Sequence, residues 1–125
     1  MIALDTSSLI AYLHGVRGGD VDAVEIALRS QQAVLPPIVL CELLSDPTLP
    51  ESTSRIFRQL PLLPVVEGFW ERAGLLRASL LARRVKAKLV DVLIAQICLD
   101  SDVPLITRDR DFQHFVPLSS LRLLP

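Results

Sequence analysis

The sequence is poor in the residues that most often tie a small domain together or carry its chemistry. It has two cysteines and two histidines in 125 residues. Cys41 and Cys98 lie far apart, each inside an apolar run of helical character. Both read as reduced core residues, with a bridge between them left open by sequence alone. His14 and His114 are isolated from each other and from the cysteines, which argues against a structural zinc site. No apolar run approaches the roughly 18 residues of a membrane span. The longest candidate, "VLIAQICL" (92–99), is short and interrupted by Gln96. The N-terminal "MIALDTSSLIAYL" has no basic leader and carries Asp5 within its apolar stretch, unlike a secretory signal. The expectation is a soluble, cytoplasmic chain without a membrane partner. An excess of either charge is missing too. Thirteen basic residues face 14 acidic ones, for a net charge of −1. Any contact with nucleic acid must then come from a local patch.

What the chain does have is apolar bulk. Half its residues are hydrophobic, enough for one full core and a single domain over 1–125. No repeat or linker interrupts it. "MIAL" (1–4) reads as a strand, and 7–15 as a helix that Thr6 or Ser7 could cap. A turn over 16–20 precedes a helix over 22–30. A short strand follows at 33–35, then a helix opened by Pro36 and Pro37 and broken at Asp46-Pro47. The amphipathic stretch 51–60 is helical. "LLPVV" (62–66) reads as a short or edge strand because of Pro64. The longest helix covers 67–84, with Phe69, Ala73, Leu76 and Leu80 on one face. A further helix runs over 91–100, a strand over 103–107, and a last strand over 121–124. Alternating strands and helices predict an α/β domain with a mostly parallel sheet covered on both faces. Ligands of such sheets bind beyond the carboxyl ends of the strands.

Four acids fall where that rule matters. Asp5 follows the first strand and Asp109 follows "PLIT". Each has a plain reading, as a helix cap and as a charged turn. Glu42 sits in "IVLCELLS", where a carboxylate is costly to bury unless paired or bound to a cation. Its plain reading is a rim position facing solvent. Asp91, in "KLVDVLIAQICL", is an ordinary helix cap on the same view. The joint pattern is more telling than any one site, with Glu42 and Asp91 at or near helix starts that face the same sheet end. Four neighbouring carboxylates raise one another's pKa, and a divalent cation removes that strain. Oxygen donors suit Mg²⁺ or Mn²⁺, ions that activate water and neutralise a phosphate under attack. Arg83, Arg84, Lys86 and Lys88 precede Asp91, and Arg108 and Arg110 flank Asp109. These are candidate phosphate contacts, and equally a solvated, basic helix end. Ser7 and Thr107 add hydroxyls that can orient an acid or a water.

Taken in order, "ALDTSSLIAYL", "VLCELL" and "LVDVLIAQICLDSDVPLITRDRDF" resemble the motifs of the PIN domain family. The likeness is greatest to the VapC-type toxins of bacterial and archaeal toxin–antitoxin pairs. It runs from Asp5 to Phe112, and its specific part is Leu89 to Phe112. The resemblance implies a three-layer α/β/α domain around a parallel sheet. It implies an acidic pocket for Mg²⁺ or Mn²⁺ and endoribonuclease activity on single-stranded or looped RNA. By matching motif, the four acids are Asp5, Glu42, Asp91 and Asp109, with metal held chiefly by Asp5 and Asp91. The hydroxyl positions are Ser7 and Thr107, and Asp111 is the alternate fourth acid. A homodimer and a small antitoxin whose tail covers the acids are implied as well. Val92 and Gln96 depart from the pattern, where a small residue and an alanine are usual. Two other readings remain. One is a PIN nuclease of RNA processing or structured DNA outside any toxin pair. The other is a non-catalytic α/β binding module with a vestigial acidic site. A receiver-like version of that module is disfavoured, since a lone Asp5 ends the first strand and no lysine follows "PLIT".

Overall fold

The structure, a computed structural model, describes residues 1–124. A four-stranded sheet lies at the centre, built from β1 (Ile2–Leu4), β2 (Ala33–Val34), β3 (Leu105–Ile106) and β4 (Leu123–Leu124). Its spatial order is β2-β1-β3-β4, and every pairing is parallel. Six helices surround it: α1 (Thr6–Leu13), α2 (Gly19–Arg29), α3 (Pro37–Leu44), α4 (Glu51–Gln59), α5 (Phe69–Ala82) and α6 (Leu89–Asp100). Two 3-10 turns, Arg110–His114 and Val116–Leu118, lead from β3 to β4. This is the three-layer α/β/α architecture expected from the alternation of elements.

The strands are short because only their apolar centres are enclosed. Ala3, Leu4, Leu105 and Ile106 have no exposed surface, as befits parallel strands covered on both faces. Thr107 falls just past β3, so the expected strand 103–107 shrinks to two residues. The expected strand at 62–66 does not form. Leu62 makes one isolated parallel bridge to Leu35, Pro64 has no N–H to extend it, and Val65 and Val66 are exposed. The second helix begins at Gly19 rather than 22, taking in Asp20 and Asp22 as acids of its first turn, where the helix dipole favours them. The first helix begins at Thr6 and ends at Leu13, short of Gly15. Neither Thr6 nor Ser7 caps it. Asp5 occupies the cap position with extended backbone and makes no capping bond with its side chain.

Three helices end on a left-handed residue that is not glycine: Gln31 after α2, Arg84 after α5 and Asp102 after α6. In each case the next N–H reaches back five residues, Gln32 to Ala27, Val85 to Leu80 and Val103 to Cys98. Those bonds satisfy carbonyls at the helix end. The second of them turns the chain into the basic segment 83–88. Arg77 Nε then pins that segment by donating to the Ala87 carbonyl at 2.9 Å.

Cys98 is buried as expected, but Cys41 is exposed, and both are free thiols. Helix α3 turns only Val39 and Leu43 fully inward, four residues apart, so an apolar sequence all round it leaves Cys41 and Leu44 outside. Gln96 also finds its reason here. It is buried on α6, and its Nε2 donates to Asp100 Oδ1 at 2.9 Å. Arg72 of α5 grips the same carboxylate through Nε at 2.9 Å and Nη2 at 2.6 Å. The bidentate fork locks α5 against α6.

Candidate metal centre

The sheet order places a switch point between β1 and β3. From β1 the chain moves outward to β2, and from β3 it moves outward the other way to β4. Crevices at the carboxyl ends of such strands are where open α/β sheets bind ligands. Asp5 leaves β1 there, and Thr107 leaves β3 beside it. The two are joined directly. Thr107 Oγ1 donates to Asp5 Oδ2 at 2.7 Å, and Ser7 Oγ donates to the same oxygen at 2.7 Å. The Asp5 residue is 5% exposed. Two hydroxyls on one carboxylate oxygen fix its rotamer and leave the group unpaired with any cation among the described residues.

Asp91 is the third residue of α6, with Lys88 in the cap position. It is therefore not the cap, and its carboxylate is directed elsewhere. Its Oδ2 is buried and has no hydrogen-bond partner among the described residues. Burial first, then the charges of Asp109 and Asp5, push its pKa up from the ordinary 3.8 to about 6. Lys88 works in the opposite direction, and Asp111 adds to the rise.

Asp109 and Asp111 both come to this place. One oxygen from each of Asp91, Asp109 and Asp111 lies within 4.8 Å of the others. Asp109 also caps the turn Arg110–His114, its Oδ1 accepting from the Asp111 N–H at 2.9 Å, and its own N–H donates to Thr107 Oγ1 at 3.0 Å. The turn that brings the two acids together is anchored by Phe112 and Phe115, both fully buried and packed edge to face at 5.7 Å. Asp111 faces one cation, Lys86, at 3.5 Å. The choice posed by the sequence between Asp109 and Asp111 thus has a different form in the structure, because both stand beside Asp91.

Glu42 lies outside this group. It is the sixth of the eight residues of α3, not near the helix start, and it is exposed. Its Oε1 accepts from Thr6 Oγ1 at 2.9 Å, which ties it to the residue after Asp5.

The basic candidates divide. Lys86 and Lys88 flank the buried Ala87 and both act on the acids, Lys86 by ion pairing and Lys88 by its charge. Arg83, Arg84 and Arg110 are exposed and form no ion pair among the described residues. Arg108 is committed elsewhere. Its Nε and Nη2 each donate to Asp20 at 2.9 Å, and Nη2 also reaches the Arg17 carbonyl at 3.2 Å. Ser8 Oγ completes the site on Asp20 at 2.9 Å. The pair passes so close to Gly18 that a Cβ there would stand 2.6 Å from Asp20 Oδ1 and 2.8 Å from Arg108 Nη2. The Arg108 N–H in turn donates to Ser7 Oγ at 3.2 Å. A continuous path therefore runs from Asp20 through Arg108 and Ser7 to Asp5. Sequence reasoning missed Asp20 and Ser8. The two ends of the ion pair are 88 residues apart, and no local signal joins them.

A three-carboxylate group with one orphaned buried oxygen is a poor structural device and a good cation site. Every donor is a hard oxygen, the preference of Mg²⁺ and Mn²⁺ rather than of softer metals.

The PIN domain family model matches residues 2–116. The chain belongs to the PIN domain family. Several solved structures share its fold over nearly their whole length. VapBC2 from Rickettsia felis, solved bound to a promoter DNA fragment, matches with a TM-score of 0.73 at 18% identity, covering 99% of this chain and 98% of that one. VapBC-1 from nontypeable Haemophilus influenzae matches with a TM-score of 0.72 at 24% identity, covering 99% and 97%. FitAcB from Neisseria gonorrhoeae matches with a TM-score of 0.72 at 16% identity, covering 100% and 97%. Comparison with curated proteins gives no match. Within this PIN domain the acids gather at the switch point of the sheet, and no helix among the described residues is long and apolar enough to cross a membrane.

Proposed function

We propose that this PIN domain is a metal-dependent endoribonuclease and the toxin of a toxin–antitoxin pair. The observation that carries the reading is the Asp91 carboxylate, half-sequestered among acids with one oxygen unpartnered. Asp91, Asp109 and Asp111 would hold Mg²⁺ or Mn²⁺, with Asp5 beside them. A cation bound there supplies a water of lowered pKa and neutralises charge on the attacked phosphate. The protein's own residues do the rest. Ser7 and Thr107 hold the Asp5 carboxylate in one orientation, leaving its other oxygen available to accept a proton from a water. Lys86 and Lys88 stand next to the acids, where an incoming phosphodiester would otherwise meet only negative charge. Arg83 and Arg84 extend the basic edge along the backbone of the RNA. Glu42, tethered to Thr6, supports the first turn of α1.

The antitoxin reading has its own support. A similar structure, VapBC-5 from Mycobacterium tuberculosis, is by its name a member of the VapBC family of toxin–antitoxin systems, and two others carry the VapBC name. In this chain an apolar hollow of about 260 Å³ opens between α1, α2 and α4, lined by Leu9, Tyr12, Leu28, Ile56 and Leu60. Ile56 is 57% exposed there. An apolar segment of a small antitoxin would cover it. Homodimerisation is proposed through α5 and α6, which leave Trp70, Leu75, Leu89 and Val90 exposed.

The test is cleavage of single-stranded RNA by purified protein, with Mn²⁺ and with chelator. The reading expects cutting that needs metal and is abolished by Asp5→Asn in a protein that still folds. Cutting by that variant at the parent rate, contaminating nuclease excluded, would overturn it.

A further inference from the structure

One polar-walled hollow among the described residues is distinct from the acid cluster. It lies beside it, between the end of β3, the turn Arg110–His114 and the edge strand β4, with a volume of about 400 Å³. Thr107 and Asp109 form one wall, so the hollow and the acids share a border. Arg110 and Gln113 form another, and Leu123 and Leu124 supply an apolar floor. We infer that this hollow seats one nucleotide of the RNA next to the phosphodiester that the acids address. The inference rests on the nuclease reading.

The chemistry of the lining selects that occupant. Arg108 borders the hollow, but its charge is answered by Asp20. Arg110 forms no ion pair among the described residues and presents a planar donor fork suited to a phosphate. Gln113 carries both a donor and an acceptor, the pair needed to read the edge of an unstacked base. The two leucines offer an apolar surface to the face of that base. The volume lies near the lower end of the roughly 300–1,000 Å³ occupied by small ligands, the size of one nucleotide rather than of a folded segment. A strand of RNA laid across Asp91 and Asp109 would border the hollow, since Asp109 belongs to both. Lys86 and Lys88, which act on the acids and do not line the hollow, would hold the backbone at the cut. Arg110 assigns the near nucleotide its position, and Gln113 gives the site its base preference.

The experiment titrates the four ribonucleoside 5′-monophosphates into the full chain in Mg²⁺ and follows the methyl resonances of Leu123 and Leu124. Saturable shifts are expected, unequal among the four bases. Arg110→Ala should weaken binding about tenfold, in line with the loss of one charge-assisted bond. Gln113→Ala should make the four nucleotides bind alike and flatten the base preference beside mapped cuts in a random RNA. Leucine shifts that are absent, or reproduced in full by inorganic phosphate, overturn the inference, as does an unchanged base preference in Gln113→Ala. If the parent cuts no RNA while the nucleotides still shift the two leucines, the nuclease reading falls and the nucleotide site stands.

Discussion

Asp100 and Asp91 sit on the same helix, nine residues from each other, and meet opposite surroundings. Asp100 receives the fork of Arg72 and the amide of Gln96. Those bonds hold its carboxyl below the usual range, Arg72 contributing most. Asp20 is treated the same way by Arg108 and Ser8. Asp91 is met by three more acids, and burial and repulsion raise it to about 6. The first pattern joins elements: α5 to α6, and the α1–α2 elbow to the end of β3. The second joins nothing. It stores repulsion at the one place where the sheet opens, and a divalent cation is what relieves it. Removing a partner should thus destabilise the paired acids and stabilise the crowded one.

The largest effect expected from breaking this contrast is on chemistry. Asp91→Asn should lower metal-dependent RNA cleavage by about a hundredfold or more, the scale of losing a preorganised charge at a reacting centre. It should also abolish the rise in melting temperature on adding Mn²⁺, while the metal-free variant melts no lower than the parent. Cleavage assays and thermal melts check both halves.

Next in size is a pH effect of opposite sign at the two kinds of site. Folded Asp91 keeps its proton to about pH 6, whereas the ordinary carboxyl releases it near 3.8. Between those values the native state binds more protons, so metal-free stability should fall as pH rises and level off above 6. The loss is about 2 kcal/mol after allowing for partial exposure. Asp91→Asn should remove that slope. Asp20 and Asp100, being lowered, contribute stability that is complete above 3.8 and lost as pH falls through their folded values. Denaturant melts from pH 3 to 7 would resolve the two limbs.

The path from Asp20 to Asp5 gives a subtler test. Arg108→Gln should weaken Mn²⁺ binding about tenfold, as is typical when an outer partner of a metal ligand is lost, measured by calorimetric titration. Smallest is Lys86→Ala. Its pair with Asp111 is long and its own side chain is 63% exposed, so melting should change by no more than the ~1 kcal/mol of a surface ion pair.

The parts legible in the sequence are those set by local pattern. The parallel α/β alternation, the Pro37 start of α3 and the acids at the ends of β1 and β3 all follow from runs of apolar residues and their punctuation. Pro64 was correctly a warning, and it went further than an edge strand by leaving only the Leu62 bridge. What local pattern could not supply was facing. Helix α3 is apolar on every side but that of Glu42, so the outward rim reading of Glu42 could be drawn from the sequence while nothing in it says that Cys41 faces outward. Nor could it pair Asp20 with Arg108 or Arg72 with Asp100, since such bonds depend on how distant elements meet. The relation of Asp109 to Asp111 was hidden for a third reason. They are two apart, so even an extended strand would put them on one side, but only the tertiary course of a 3-10 turn capped by Asp109 carries that side to Asp91.

Whether Asp91, Asp109 and Asp111 hold a divalent cation is measured directly by anomalous diffraction from crystals soaked in Mn²⁺. The prediction is a peak at about 2.0–2.2 Å from carboxylate oxygens of Asp91 and of Asp109 or Asp111, missing in Asp91→Asn crystals. No peak in the parent at full soak, or one that persists unchanged in Asp91→Asn, would contradict it.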